Sequence, residues 1–248
     1  MKSSIISSEE LVSSSRWDAP YFIGSGHVFS AKYPLVSISD LVEERKKFIE
    51  PQSYPEHMFN YIGLENISQN TRTLVDFNPK RGVEIKSRTK VFRKGDLLYS
   101  RLRPYLNKVL LIDDELNEGI CSTEIFVLSP KIKIINPVYL SELLTSSWSC
   151  NEIDRLSGGA TLPRINITDF LNIKIPVPPI NVQLKLEQFI NKNRAIWKDH
   201  AHNAEKIPVS IKDAIDHFLT EGGDLNLNVN NSALETRWNN PLPDIELK

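Results

Sequence analysis

Between residues 16 and 178 the apolar positions come in short runs rich in β-branched residues. FNYIGLENI (59–67), VEIKSRTKVF (83–92), DLLYSRL (96–102), KVLLID (108–113), STEIFVLSP (122–130) and NIKIPVP (172–178) have the length and composition of strands. One segment breaks this rhythm. NPVYLSELLTSSWSCNEIDRLS (136–157) spaces Val138, Leu140, Leu143, Leu144 and Trp148 as a helix does, and Gly158 and Gly159 end it. The pattern predicts an α+β, strand-rich domain over 16–178, preceded by a loose arm at 1–15.

The pattern changes at IPVPPI (175–180), where the prolines fix an extended link. Beyond it Leu186, Phe189, Ile190, Ile196, Trp197, Ala201, Ala204 and Ile207 repeat with helical period. Pro208 ends or kinks this helix. A shorter one follows from Ser210 to Gly222, which gives a helical spacer over 179–220 and a loose tail over 221–248. Asn193 and His200 fall on the seam, where a polar residue in a coiled coil fixes register and partner number. The stripe is wider than packing on one strand-rich domain requires, so Leu186, Phe189, Ile190, Asn193, Ile196 and Trp197 are expected to form a helix interface.

Composition excludes several classes. The chain is 248 residues long with 40% hydrophobic and 25% charged residues, ordinary for a folded globular protein. No window reaches the ~18 apolar residues of a membrane helix, and the Ser-rich start MKSSIISSEELVSSS lacks the apolar core of an export signal. A cytoplasmic protein without membrane contact is the expectation. The two cysteines, Cys121 and Cys150, show no ligand spacing, so reduced thiols are expected and no metal.

Net charge is −1, but residues 80–110 hold ten Lys/Arg against Glu84 and Asp96, a local +8 that leaves −9 elsewhere. A concentrated cationic field on a neutral chain suits a phosphate backbone. The competing assignment is a solvated charged face. Tyr99 and Tyr105, interleaved with the cations in KGDLLYSRLRPYLNKVLL (94–111), favour a binding surface.

The chain offers no catalytic constellation. FIGSG (22–26) resembles the glycine loop of S-adenosylmethionine enzymes but lacks the strand-turn-helix setting. PDIELK (243–248) has the letters of a metal nuclease, with its acids one residue apart at the chain end. The five histidines form no HExxH set, and no nucleophile arrangement is supported. No catalytic residue is assigned, and the chain reads as a binder.

FNYIGLENI, FRKGDLLYSRLRPYLNKVLL (92–111), GGATLPRINITDF (158–170) and IPVPPINVQLKLEQFI (175–190) resemble, in order and spacing, the target recognition domain and following helix of type I restriction–modification specificity (S) subunits. The resemblance runs from about residue 16 to 220 and includes Gln183 on the helix. Members usually carry two such domains whose helices pair antiparallel. Here SRWDAP (15–20) returns as TRWNNP (236–241), as if a second repeat begins and stops. The resemblance therefore implies a half-subunit.

It also implies a function: sequence-specific binding of double-stranded DNA that directs adenine methyltransferase (M) subunits, with a restriction (R) subunit as a further candidate partner. This chain would need no cofactor, S-adenosylmethionine belonging to the methyltransferase. Arg101 and Arg103 are the candidates for base edges, because the guanidinium fork matches guanine O6 and N7, with Pro104 stiffening the turn and Tyr105 beside them. Arg88, Lys90 and Lys108 are assigned to the phosphate backbone, and Arg164 to a second DNA-facing loop. The opposing assignment pairs Arg101 and Arg103 with Asp96 or Glu124 to order the fold. With one domain per chain, a homodimer through the helix would present two such surfaces. The runner-up function is a recognition fragment of a single-chain DNA methyltransferase or nuclease.

Overall fold

Strand residues that alternate between two apolar environments build this protein. The structure, a computed structural model, describes residues 32–114, 116–159, 161–196 and 200. The chain divides into two units, Met1–Ile190 and Asn191–Lys248. In the first unit the order is β1 (Leu35–Ser37), α1 (Ile38–Leu41), β2 (Val42–Glu44), β3 (Phe48–Ile49), β4 (Met58–Phe59), β5 (Tyr61–Ile62) and β6 (Lys80–Arg81). Then come β7 (Thr89–Arg93), β8 (Leu97–Ser100), β9 (Val109–Leu111), β10 (Glu118–Ser122), β11 (Ile125–Pro130), α2 (Pro137–Leu144), α3 (Ser147–Leu156), α4 (Ile167–Asn172) and β12 (Lys174–Pro176). A last helix, α5, starts at residue 180 and is described to 196.

Two four-stranded sheets carry the unit, ordered β3-β7-β10-β5 and β2-β11-β8-β9. In β8, Leu97 and Tyr99 point one way and Leu98 the other, as the two-residue period of a strand requires. Leu97, Tyr99, Val109, Phe126 and Leu128 pack with Leu140, Leu144, Ile153 and Phe170 of the helices. Leu98, Leu110, Ile125 and Val127 pack instead with Ile62, Phe92 and Cys121 of the other sheet. The sheet containing β8 is thus covered on both faces, which is why its central strands are continuously apolar. The far face of the first sheet keeps a smaller cluster of Phe59, Ile85 and Ile120.

The chain crosses between the sheets at β2–β3, β7–β8, β9–β10 and β10–β11. At β7–β8 Gly95 takes φ +83°, and the buried Asp96 carboxylate accepts from the Arg93 N–H at 2.8 Å and from Arg45 Nε at 2.7 Å. Asp96 is therefore committed to Arg45, not to Arg101 or Arg103. Where β5 runs parallel to β10, a Cβ on Gly119 would lie 2.3 Å from the Asn60 carbonyl oxygen, so only glycine lets the two backbones approach.

Three expected elements differ. FNYIGLENI, read as one strand, holds the end of β4 and all of β5, which lie in different sheets, and then a 3-10 turn at Leu64–Asn66. The helix read over 136–157 is two helices, because Thr145 and Ser146 turn their hydroxyls back on the closing carbonyls, Thr145 on Glu142 at 2.9 Å and Ser146 on Leu143 at 2.6 Å. The first half of VEIKSRTKVF is a 3-10 turn, Gly82–Glu84. The arm at 1–15, the glycine segment at 22–26, Trp197, the second helix, the tail and both halves of the Arg-Trp-x-x-Pro repeat lie outside the described residues.

Candidate nucleic-acid interface

The chain leaves β8 at Ser100 and re-enters β9 at Val109 through a turn that ordinary sequence rules disfavour. Pro104–Leu106 form one 3-10 turn, flanked by left-handed residues on both sides, Arg103 (φ 48°, ψ 60°) and Asn107 (φ 53°, ψ 44°). Asparagine tolerates that conformation, whereas arginine pays a steric cost. Asn107 is fixed from three sides: its N–H donates to the Pro104 carbonyl at 2.9 Å, its Nδ2 donates to Asn70 Oδ1 at 3.1 Å, and its Oδ1 accepts from the Cys150 thiol at 3.0 Å.

The loop after α3, which carries Arg164, lies against this turn. The Arg103 N–H donates to the Pro163 carbonyl at 2.7 Å, the Ile165 N–H donates to the Arg101 carbonyl at 3.1 Å, and Leu102 and Arg164 form an isolated bridge. Arg101 and Arg164 share one carboxylate. Glu124 accepts from Arg164 Nε at 3.1 Å and from its Nη2 at 3.0 Å, and lies 3.9 Å from Arg101 Nε. These hydrogen bonds push the Arg164 pKa above its ordinary value. Arg101 Nε itself is enclosed without a hydrogen-bond partner, and its guanidinium stands 5.7 Å from the Phe126 ring.

Arg103 is different. Its side chain is exposed and forms no ion pair with a described residue, and Tyr105 beside it is 54% exposed. The other predicted residues are dispersed. Arg88 lies just ahead of β7, its guanidinium 4.1 Å from the Phe48 ring and 3.6 Å from Glu50. Lys108 donates to the Leu64 carbonyl at 2.5 Å.

Lys90 corrects the expectation of a phosphate contact. It is buried at 6% exposure, and its ammonium meets the Ile125 carbonyl at 3.0 Å and Glu44 at 3.4 Å. Position in the strand explains this, since Lys90 pairs with Cys121 and reaches across between the two sheets. The +8 segment is also less cationic in space than along the chain. Lys80, Arg81, Arg88, Lys90, Lys94 and Arg101 each meet a carboxylate, from Glu65, Glu56, Glu50, Glu44, Asp114 and Glu124 respectively. Net charge read from one segment missed these acids because they come from elsewhere in the chain. Most of these pairs are exposed and weak, so phosphates can displace their carboxylates.

On α5, Leu186, Phe189 and Ile190 are half-buried, while Asn193 and Ile196 are exposed, Ile196 at 47%. Among the described residues no group of acids, histidines and cysteines could hold a metal ion, and no helix is long and apolar enough to cross a membrane.

Comparison with known proteins gives this arrangement a family. The type I restriction modification DNA specificity domain matches residues 31–204. The HindI type I restriction enzyme specificity subunit of Haemophilus influenzae is 26% identical over 161 residues, 64% of this chain and 34% of the relative. The EcoDI specificity subunit of Escherichia coli is 32% identical over 95 residues, 37% of this chain and 19% of the relative. The crystal structure of the HsdS subunit from Thermoanaerobacter tengcongensis superposes with a TM-score of 0.58 at 22% identity, covering 81% of this chain and 53% of that one. A subunit from a structure of type I restriction–modification complex assembly gives 0.57 at 23% identity, covering 79% and 52%. The chain thus spans about a third of the length of the first curated relative and about half that of each solved subunit. With the matched domain reaching from before β1 through the described part of α5, the chain belongs to the type I restriction modification DNA specificity domain family.

Proposed function

We propose that this protein is a DNA-sequence-specificity subunit of a type I-like restriction–modification system, binding double-stranded DNA and bringing adenine methyltransferase subunits to it. One observation carries the reading: an arginine held in the left-handed region at a loop tip, its exposed side chain forming no ion pair with a described residue. Backbone strain of this kind persists where surrounding contacts enforce it, and it clusters at functional sites. Here the Pro163 carbonyl and the Asn107 contacts do the enforcing. Arg103 and Arg101 face base edges in this reading, with Tyr105 beside them. Arg88 and Lys108 serve the backbone, and Lys90 belongs to the interior.

The chemistry of methyl transfer, with its S-adenosylmethionine, sits in the partner, and a restriction subunit is a further partner. The protein acts where the DNA is, in the cytoplasm. The apolar positions of α5 pair with a second copy of the chain, so that two recognition domains read a bipartite site. Retention of labelled duplex across a salt series, with and without a methyltransferase subunit, tests the core of this reading. Affinity should fall steeply as salt rises, because neutralised phosphates release counterions, and should strengthen with the partner. Salt-independent retention, or none in either condition, would overturn it.

A further inference from the structure

We propose that Glu124 is the positioning residue of the reading surface, joining Arg164 of the second loop to the turn that carries Arg103. The proposal rests on the DNA-reading function above and deepens it. Glu124 occupies the two-residue crossing between β10 and β11, whose ends are committed to different sheets: Ser122 pairs with Thr89 and Ile125 with Ser100. Its carboxylate thus projects from a fixed base. Both oxygens are used by one guanidinium, at 3.1 and 3.2 Å from Arg164 Nε and 3.0 Å from Nη2. A fork held in this way has a defined plane as well as a defined place.

The backbone carries that placement on to Arg103. The Glu124 carbonyl accepts the Arg101 N–H at 2.9 Å, and the Arg101 carbonyl accepts the Ile165 N–H at 3.1 Å. Arg164 exchanges both backbone hydrogen bonds with Gly158, at 2.8 and 2.9 Å, and Pro163 holds the Arg103 N–H. Three segments distant in sequence are therefore tied around one carboxylate, and the left-handed residue at the tip hangs from the last tie. Arg164, its side chain 38% exposed, spends its fork on the Glu124 carboxylate. It acts through Arg103 and does not itself read a base.

The partition between two arginines supports the assignment. Arg101 reaches the same carboxylate at 3.9 Å and leaves its enclosed Nε without a partner, although an unpaired buried donor is costly. Two guanidiniums compete for one acceptor, and the geometry favours the one on the other loop. A carboxylate serving only local charge balance has no need to leave its nearer neighbour along the chain unsatisfied.

The experiment selects from a randomised duplex pool with the full chain, together with its methyltransferase subunit, and sequences the retained DNA. Wild type should enrich a motif. E124Q keeps the side chain's size but loses the charged fork, and should lose about tenfold discrimination at the positions that R103A also flattens, while retention of non-enriched duplex does not fall. The double variant should be no flatter than R103A alone, since Glu124 acts through that residue. R164K, which keeps the charge and breaks the fork from the other side, should repeat E124Q and covers the case in which E124Q fails to fold. A motif as sharp in E124Q or R164K as in wild type overturns the proposal. Losses in the double variant that add, or that fall at positions R103A leaves intact, also overturn it, because Glu124 would then contact DNA itself. If wild type enriches no motif, the DNA reading fails first and the proposal goes with it.

Discussion

The Gln183 carboxamide and the Asn136 peptide meet in the dry interior, Gln183 Oε1 accepting the Asn136 N–H at 2.7 Å. Gln183 is fully buried, and its Nε2 donates to the carbonyls of Ile134 at 3.1 Å and Pro178 at 2.8 Å. Asn136 in turn caps α2, its Oδ1 accepting from Tyr139 N–H at 2.9 Å, while its Nδ2 donates to Glu187 at 2.9 Å. One pair of amides therefore ends the extended proline link, starts α2 and fixes where α5 begins.

Gln183→Ala should consequently destabilise the fold by about 2–4 kcal/mol, since three buried backbone groups lose their partner and each such orphan costs about 1–3 kcal/mol before relaxation. Gln183→Glu should not rescue it. A carboxylate accepts from Asn136 but cannot donate to two carbonyls. Asn136→Ala should cost about 1 kcal/mol or more, the usual price of a lost helix cap. Urea unfolding followed by circular dichroism measures all three.

Lys90→Met should cost about 3 kcal/mol and leave the salt dependence of DNA retention unaltered. Removing one member of a buried pair strands the other charge, and the Glu44 side chain is only 10% exposed, with Lys46 at 3.7 Å as its remaining cation. A lysine touching phosphate would behave in the opposite way, with little loss of stability and a shallower salt slope. Denaturant titration and retention at graded salt distinguish the two.

These two residues show what the sequence could and could not say. Short apolar runs such as DLLYSRL and STEIFVLSP identified β8 and β11 by length and composition, because a strand covered on both faces is apolar throughout. The class of fold followed from them. Very short strands such as β3 and β6 carry too few residues for a pattern to be recognised, so they went unread. The break at Thr145–Ser146 was hidden because apolar spacing is counted by side chain, whereas the break is made by hydroxyls bonding backbone. For the site, Arg103 and Tyr105 were legible as an exposed turn. Lys90 was not, since burial of a cation depends on Glu44 and the Ile125 carbonyl, which are remote in sequence. Glu124 was legible in the sequence only as an alternative partner for Arg101 or Arg103; it lies 3.9 Å from Arg101 Nε, and its fork to Arg164 appears only where the two loops meet.

Neither cysteine should react readily with a thiol reagent at pH 8. Burial pushes the Cys121 thiol up to about 12, with the Lys90 charge only partly offsetting it, so about one part in ten thousand would be thiolate. Burial also raises Cys150, against a smaller opposing effect from its hydrogen bond to Asn107. Native protein should label far more slowly than a small free thiol, and both cysteines should label at once in guanidinium. Rates should rise with pH, the direction set by thiolate formation.

Arg103→Gly should separate folding from recognition. Glycine adopts φ 48° without the Cβ clash, so the variant should be more stable than wild type by about 0.5–1 kcal/mol. Its discrimination between the selected site and mismatched duplexes should fall by about 1–3 kcal/mol if the guanidinium reads a base bidentately. Arg103→Ala should lose the same discrimination without the gain in stability. Equal losses on every duplex would reduce Arg103 to a backbone contact.

The proposed pairing of α5 with a second copy gives a prediction about the target itself. Leu184 at 46% and Ile196 at 47% stay exposed, and Leu186 and Ile190 are half-buried, so apolar surface is left along a helix that needs a cover. A two-fold partner supplies the same surface in reverse, and antiparallel helices would hold two identical recognition domains at a separation set by about 1.5 Å of rise per residue. The DNA read would then be an inverted repeat with a fixed spacer. Sedimentation of the wild type should show a dimer, and Leu186→Glu combined with Ile190→Glu should dissolve it while leaving each copy able to bind one half-site. A wild type that stays monomeric at high concentration, alone and with a methyltransferase subunit, would sink the pairing, because the apolar face of α5 would then need another cover than its own copy.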